Sequence, residues 1–285
     1  MPRDKKKRLQ FEDSAAWIAR ANKDYDAFKR LGSSDPALSV YLLQQCIEKT
    51  IKAIAISSGK YRLSDIRGFS HKSAELLLDF WDSLEVAYGS SQKYKSVLPS
   101  MIQMDEATPE EVLATIQLLE ELHKHSLFFI KHSNIENGDT ITLSFSAVTE
   151  YSLKKTAYIS GREQDTTKKQ SLKDLSFRLL LDFSDMLSRS EDKTGTIKSK
   201  DFCISRFLGQ WSLFALFILG SITFSHEHRS RYPDMNGKGC DNYTEALGIV
   251  KYRKRLGDIC KMSLSYVGHA LETMPESFPV AKSGT

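Results

Sequence analysis

The chain has 285 residues, of which 41% are hydrophobic and 27% charged, and its formal net charge is +4. That length buries a substantial core without staples, the composition is that of a soluble globular protein rather than a disordered or fibrous one, and the mild basic excess is far below the density of a dedicated duplex binder. Cys46, Cys203, Cys240 and Cys260 are scattered without zinc-ligand or paired-cysteine spacing, which predicts a reducing, cytoplasmic setting. The basic N-terminus is not followed by the apolar stretch of a secretory leader.

Residues 1–13, with Arg3, Lys5, Lys6, Lys7 and Arg8, read as a solvated basic tail. A helix is predicted from Ser14 to Arg30, with Trp17, Ala21, Tyr25 and Phe28 at helical spacing. Gly32, Ser33 and Ser34 turn the chain into the stretch around which the rest is organised, residues 41–56. There Leu43, Ile47, Ile51 and Ile54 recur at spacings that stack them on one side of a helix. Gln44, Glu48 and Lys52 follow the same rule on another side, and Gln45 stands one turn before Lys49. Glu48 precedes Lys52 in the orientation favourable to a helical ion pair, worth roughly 0.3 kcal/mol in isolation. Ser34 and Asp35 before Pro36 supply a cap candidate, and Gly59 suits a left-handed stop.

A polar connection over 60–70 leads to a helix beginning near His71 and carrying Leu76, Leu77, Phe80, Trp81 and Leu84. Pro109, Glu110 and Glu111 open the next helix, which continues through Leu113, Ile116, Leu119 and Leu122 to Ile130. Residues 139–151 alternate apolar and polar and form the only convincing strand pattern, without a second strand of equal quality. Helical periodicity returns from Leu172 to Leu187, and 188–200 is charged and serine-rich, the best linker candidate. Residues 207–224 contain no charged side chain. A membrane span and a helix buried in a bundle both read this way. Gln210, Ser212, Ser221, Thr223 and the lack of a second span favour the buried helix. A polar loop over 229–242 precedes a last long helix from about Asn242 to Leu271, and 273–285 reads as a mobile tail. Long helices joined mostly by short loops predict an all-α fold, an antiparallel up-and-down bundle.

Four separated pieces resemble the HEPN domain family, the nucleotide-binding domains of higher eukaryotes and prokaryotes. Trp17, Ala21, Asp24 and Ala27 are similar to that family's first-helix pattern, and Gln45, Glu48, Lys49, Lys52 and Ala53 match its Q-x-x-E-K-x-x-K-A second helix. His71 stands where the family commonly has a Thr-His-Asp-Leu-like helix start, although Ser70 and Lys72 replace the flanking residues. Arg231, Tyr232, Pro233 and Asp234 reproduce the loop before the family's last helix. The resemblance covers about 14–88 and 203–268, so it implies a HEPN-like bundle over 14–88 and 203–272 interrupted by an inserted helical subdomain of unknown role, 89–202. It also implies a homodimer, and either a nucleotide- or substrate-binding partner of a small nucleotidyltransferase or a ribonuclease toxin of a toxin-antitoxin pair.

The ribonuclease branch is marked by an arginine and, after it, a histidine near the last helix with four to six residues between them. No histidine of this chain has an arginine at that distance before it, which lowers the expectation of RNA cleavage. The densest polar cluster is His226, Glu227, His228, Arg229, Ser230 and Arg231. Two imidazoles there suit proton transfer at neutral pH, and Arg229 and Arg231 suit bidentate phosphate contact. The plainer reading is a solvated helix end whose cations oppose the dipole. Asp234 either anchors Arg231 or starts a turn, and Lys49 and Lys52 either face Arg231 across an anion pocket or point to water. Phosphate-loop, dinucleotide, nucleophile-elbow and zinc-protease motifs are absent, and neither a metal nor a cofactor is expected. The expectation is therefore a binding module for a nucleotide, nucleic acid or other phosphate-bearing ligand. It would use Gln45, Glu48, Lys49, Lys52, His71, Arg229, Arg231, Tyr232 and Asp234. The alternatives are a metal-independent ribonuclease using His226 or His228, and a purely structural interaction protein.

Overall fold

The computed structural model describes residues 3–59, 61–69, 76, 108–132, 208–224, 226, 230 and 243–273. Among them the elements are all helical: α1 (Arg3–Leu31), α2 (Pro36–Ser57), α3 (Leu63–Gly68), α4 (Pro109–His132), α5 (Gly209–Phe224), α6 (Gly248–Lys251) and α7 (Arg253–Thr273). The fold class expected from the sequence, all-α, holds for these residues. The strand pattern at 139–151, the helix predicted at 71–88 apart from the helical, buried Leu76, the helix predicted at 172–187, the linker at 188–200 and the tail beyond 273 lie outside them.

The punctuation of α2 follows its sequence. Asp35 is the N-cap in extended conformation, and its carboxylate accepts the Leu38 N–H at 2.9 Å. Pro36 occupies the first turn, where its missing N–H costs nothing. Gly59 has φ +72°, the left-handed region that ends a helix at least cost with glycine. Gly32, at φ +57°, does the same after α1.

α2 is the central rod and packs against α1, α5 and α7. Leu43, Ile47, Ile51 and Ile54 are all 0% exposed, as their spacing predicts. Each such side chain taken from water contributes about 1.5–3 kcal/mol. The polar side of α2 is covered as well: Gln44, Glu48 and Lys52 are buried. α1 begins at Arg3, so the stretch 3–13 read as a solvated tail continues the helix instead. Nothing helix-breaking stands between Arg3 and Leu31, so the helix starts before the apolar spacing signal at Ser14 does.

α5 is apolar all round and lies in the core, with Trp211, Ala215, Leu216, Phe217, Ile218 and Leu219 buried and Gly220 against Ile47 and Ile51. Two of its hydroxyls bond back to backbone carbonyls: Ser212 donates to the Leu208 carbonyl at 2.5 Å and Thr223 to the Leu219 carbonyl at 2.8 Å. Among the described residues no helix is long and apolar enough to cross a membrane. α4 lies inside the stretch 89–202 that the resemblance left as an insertion, yet Val112, Ile116, Leu119 and Leu122 enter the same core. The Trp211 indole N–H closes the junction by donating to the Leu119 carbonyl at 2.9 Å. The last helix, expected as one rod from about 242, is two pieces, α6 and α7, broken at Tyr252 (φ −108°, ψ 13°). The break sets Gly248 against α4, where an added Cβ would stand 2.9 Å from the Pro109 Cα.

Candidate functional site

The i, i+4 rule puts Gln44, Glu48 and Lys52 on one face of α2, and tertiary packing turns that face into a closed network. Lys52 Nζ donates to Glu48 Oε1 at 2.5 Å. Glu48 Oε2 accepts from Gln44 Nε2 at 3.1 Å and from Gln45 Nε2 at 3.3 Å, and Gln45 also donates to Gln44 Oε1 at 2.7 Å. The side chains of Lys52 and Glu48 are only 8% and 4% exposed, which makes this a buried ion pair rather than a surface one. A buried pair survives desolvation only when its remaining lone pairs and protons find partners, and the two glutamine amides supply two of them.

α1 contributes the other wall. The Lys52 ammonium sits 5.4 Å from the Trp17 ring centroid, and the Arg20 guanidinium lies 5.7 Å from it. Lys49 is salt-bridged to Asp24 of α1. The first-helix run Trp17, Asp24 and the second-helix run Glu48, Lys49, Lys52 thus meet residue against residue. Chemically, each lysine is already matched by a carboxylate. An incoming anion has to displace Glu48 or Asp24 to reach either ammonium, so Lys49 and Lys52 act here as fixed supports of α1 on α2. Neither points freely into water.

His226 is 4% exposed. Its Nδ1 lies 2.9 Å from the Tyr243 hydroxyl, with the rings edge to face at 5.6 Å. Tyr243 also donates to the His226 carbonyl at 3.4 Å. The His226 ring is therefore buried rather than at a solvated helix end, and it joins the residues after α5 to the chain that enters α6. His71, His228, Arg229, Arg231, Tyr232 and Asp234 lie outside the described residues.

Sequence reading assigned no role to a second cluster, where α4, α5 and α7 meet. His123 Nε2 lies 2.7 Å from the Tyr266 hydroxyl, and its ring centroid is 4.7 Å from that of Trp211. Burial pushes the His123 imidazole below its ordinary range, toward the neutral form, and raises the Tyr266 phenol. Glu120 accepts two bonds from Arg255, at 3.1 and 2.6 Å. His123 and Tyr266 are 143 residues apart, and no local pattern announces such a contact. Among the described residues no three His, Cys, Asp or Glu side chains gather closely enough to hold a metal ion.

No family model, no curated protein and no solved structure matches this chain.

Proposed function

We propose that the chain is a HEPN-type helical binding module for a nucleotide, nucleic acid or other phosphate-bearing ligand. In this reading the helices form an antiparallel up-and-down bundle carrying an inserted helical subdomain. The protein works as a homodimer in the cytoplasm, with a nucleotidyltransferase as candidate partner. The observation that carries the reading is the pairing of the two motif runs: Trp17 against Lys52, and Asp24 against Lys49. Residues singled out by resemblance to one family gain weight when they touch one another across two helices.

Lys49 and Lys52 contact Asp24 and Trp17 of α1, while Gln45 and Glu48 brace Lys52 within α2. Contact with phosphate is assigned in this proposal to Arg229, Arg231, His71, Tyr232 and Asp234, the residues the sequence patterns single out. The test is titration of the full chain with ATP and GTP, followed by Arg231→Ala. Binding that weakens at least tenfold in the variant, with unchanged helicity, supports the module. No binding at millimolar nucleotide favours a structural interaction protein instead.

The ribonuclease alternative rests on His228 rather than His226, because His226 is engaged with Tyr243. Incubation with labelled single-stranded RNA in EDTA separates the readings: cleavage that disappears in His228→Ala would replace the binding module with an enzyme.

A further inference from the structure

Cys46 of α2 and Cys260 of α7 are both free and both 0% exposed. Their sulfurs lie 3.4 Å apart, although the residues are 214 positions apart in the chain. Neither has a role in the site described above. A disulfide needs the sulfurs at about 2.05 Å, so about 1.4 Å of approach separates the thiol pair from the bond. The pair is a direct sulfur–sulfur contact between the helix that carries Gln44, Gln45, Glu48 and Lys52 and the last long helix.

We infer that Cys46 and Cys260 form a reversible oxidation site, in which a peroxide converts the thiol pair into a disulfide that pins α2 to α7. With Cys46 as the attacking sulfur, Cys260 is the resolving sulfur 3.4 Å away. The Cys46 thiolate displaces hydroxide from hydrogen peroxide and becomes a sulfenic acid. The Cys260 sulfur, giving up its proton, then attacks the Cys46 sulfur and expels a second hydroxide. The two protons released by the thiols convert both hydroxides to water. Two thiols and one peroxide thus yield one disulfide and two waters, and the peroxide oxygens accept the electron pair. The Cys260 thiol is held well above its ordinary range by its bond to Cys46 and by burial. Oxidation is therefore slow and proceeds when α2 and α7 part locally. Once formed, the bond closes a very long loop, which restricts the unfolded chain strongly.

The experiment uses the full chain carrying Cys203→Ser and Cys240→Ser, treated with hydrogen peroxide under native conditions and then alkylated in denaturant. The expected result is loss of both alkylatable thiols, a cross-linked peptide pair containing Cys46 and Cys260, and an upward shift of the denaturation midpoint that dithiothreitol reverses. Cys46→Ala abolishes the shift. If that variant does not fold, the peptide map decides alone. Full alkylation of both thiols after prolonged peroxide, or oxidation that stops at unlinked sulfinic acid, would overturn the inference.

Discussion

Replacing Lys52 by methionine removes the ammonium from a carboxylate that is itself 4% exposed and leaves the stem volume nearly unchanged. In an exposed helix the same i, i+4 pair is worth a few tenths of a kcal/mol. Here Glu48 stays buried, held by the amides of Gln44 and Gln45 but deprived of the charge at 2.5 Å. Removing one partner of a buried pair costs about 3–5 kcal/mol, because the stranded charge keeps its desolvation penalty and loses its compensation. Against a typical total stability of about 5–15 kcal/mol, that loss is visible in any unfolding curve. Glu48→Gln strands the ammonium in the same way while keeping an acceptor for the two glutamines. The double variant Glu48→Gln/Lys52→Met strands neither, so its cost is smaller than the sum of the singles by about 0.5–3 kcal/mol. Urea unfolding followed by far-ultraviolet circular dichroism measures all four corners of the cycle. Additive singles, or a Lys52→Met cost below about 1 kcal/mol as for an exposed pair, would refute the view that this face is a closed electrostatic network.

Gly248→Ala places a methyl 2.9 Å from both the Pro109 Cα and a Val112 methyl carbon, and the backbone atom has no rotamer with which to yield. The expected cost is about 1–3 kcal/mol of overpacking, read as a lower urea midpoint. Asp35→Ala removes the cap on the Leu38 N–H and costs about 0.5–2 kcal/mol by the same measurement. His123 has a folded-state pKa below the ordinary 6.5, so between the two values the unfolded chain binds more protons. Its contribution is present in full above pH 6.5 and is lost as pH falls from there through the lowered folded value. Stability against pH therefore slopes upward across that window in the wild type, and His123→Gln flattens the slope.

The elements of this protein are legible in its sequence wherever local chemistry decides them. The Asp35-Pro36 start of α2, its stop at Gly59 and its Leu43, Ile47, Ile51, Ile54 stripe follow from capping, proline geometry and a 3.6-residue period, and all are observed. The apolar run of α5 is a core helix, as its polar interruptions led one to expect over a membrane span, and it packs against α2, α4 and α7. Periodicity cannot report how many neighbours a helix has. A single polar face on α2 looks solvent-directed until α1 covers it, and then Glu48 and Lys52 become a buried pair. The contacts joining His226 to Tyr243, His123 to Tyr266, and Cys46 to Cys260 are likewise decided only by packing. Each brings together residues whose separation along the chain leaves no period to read, and each depends on which helices share a core rather than on where any one helix begins.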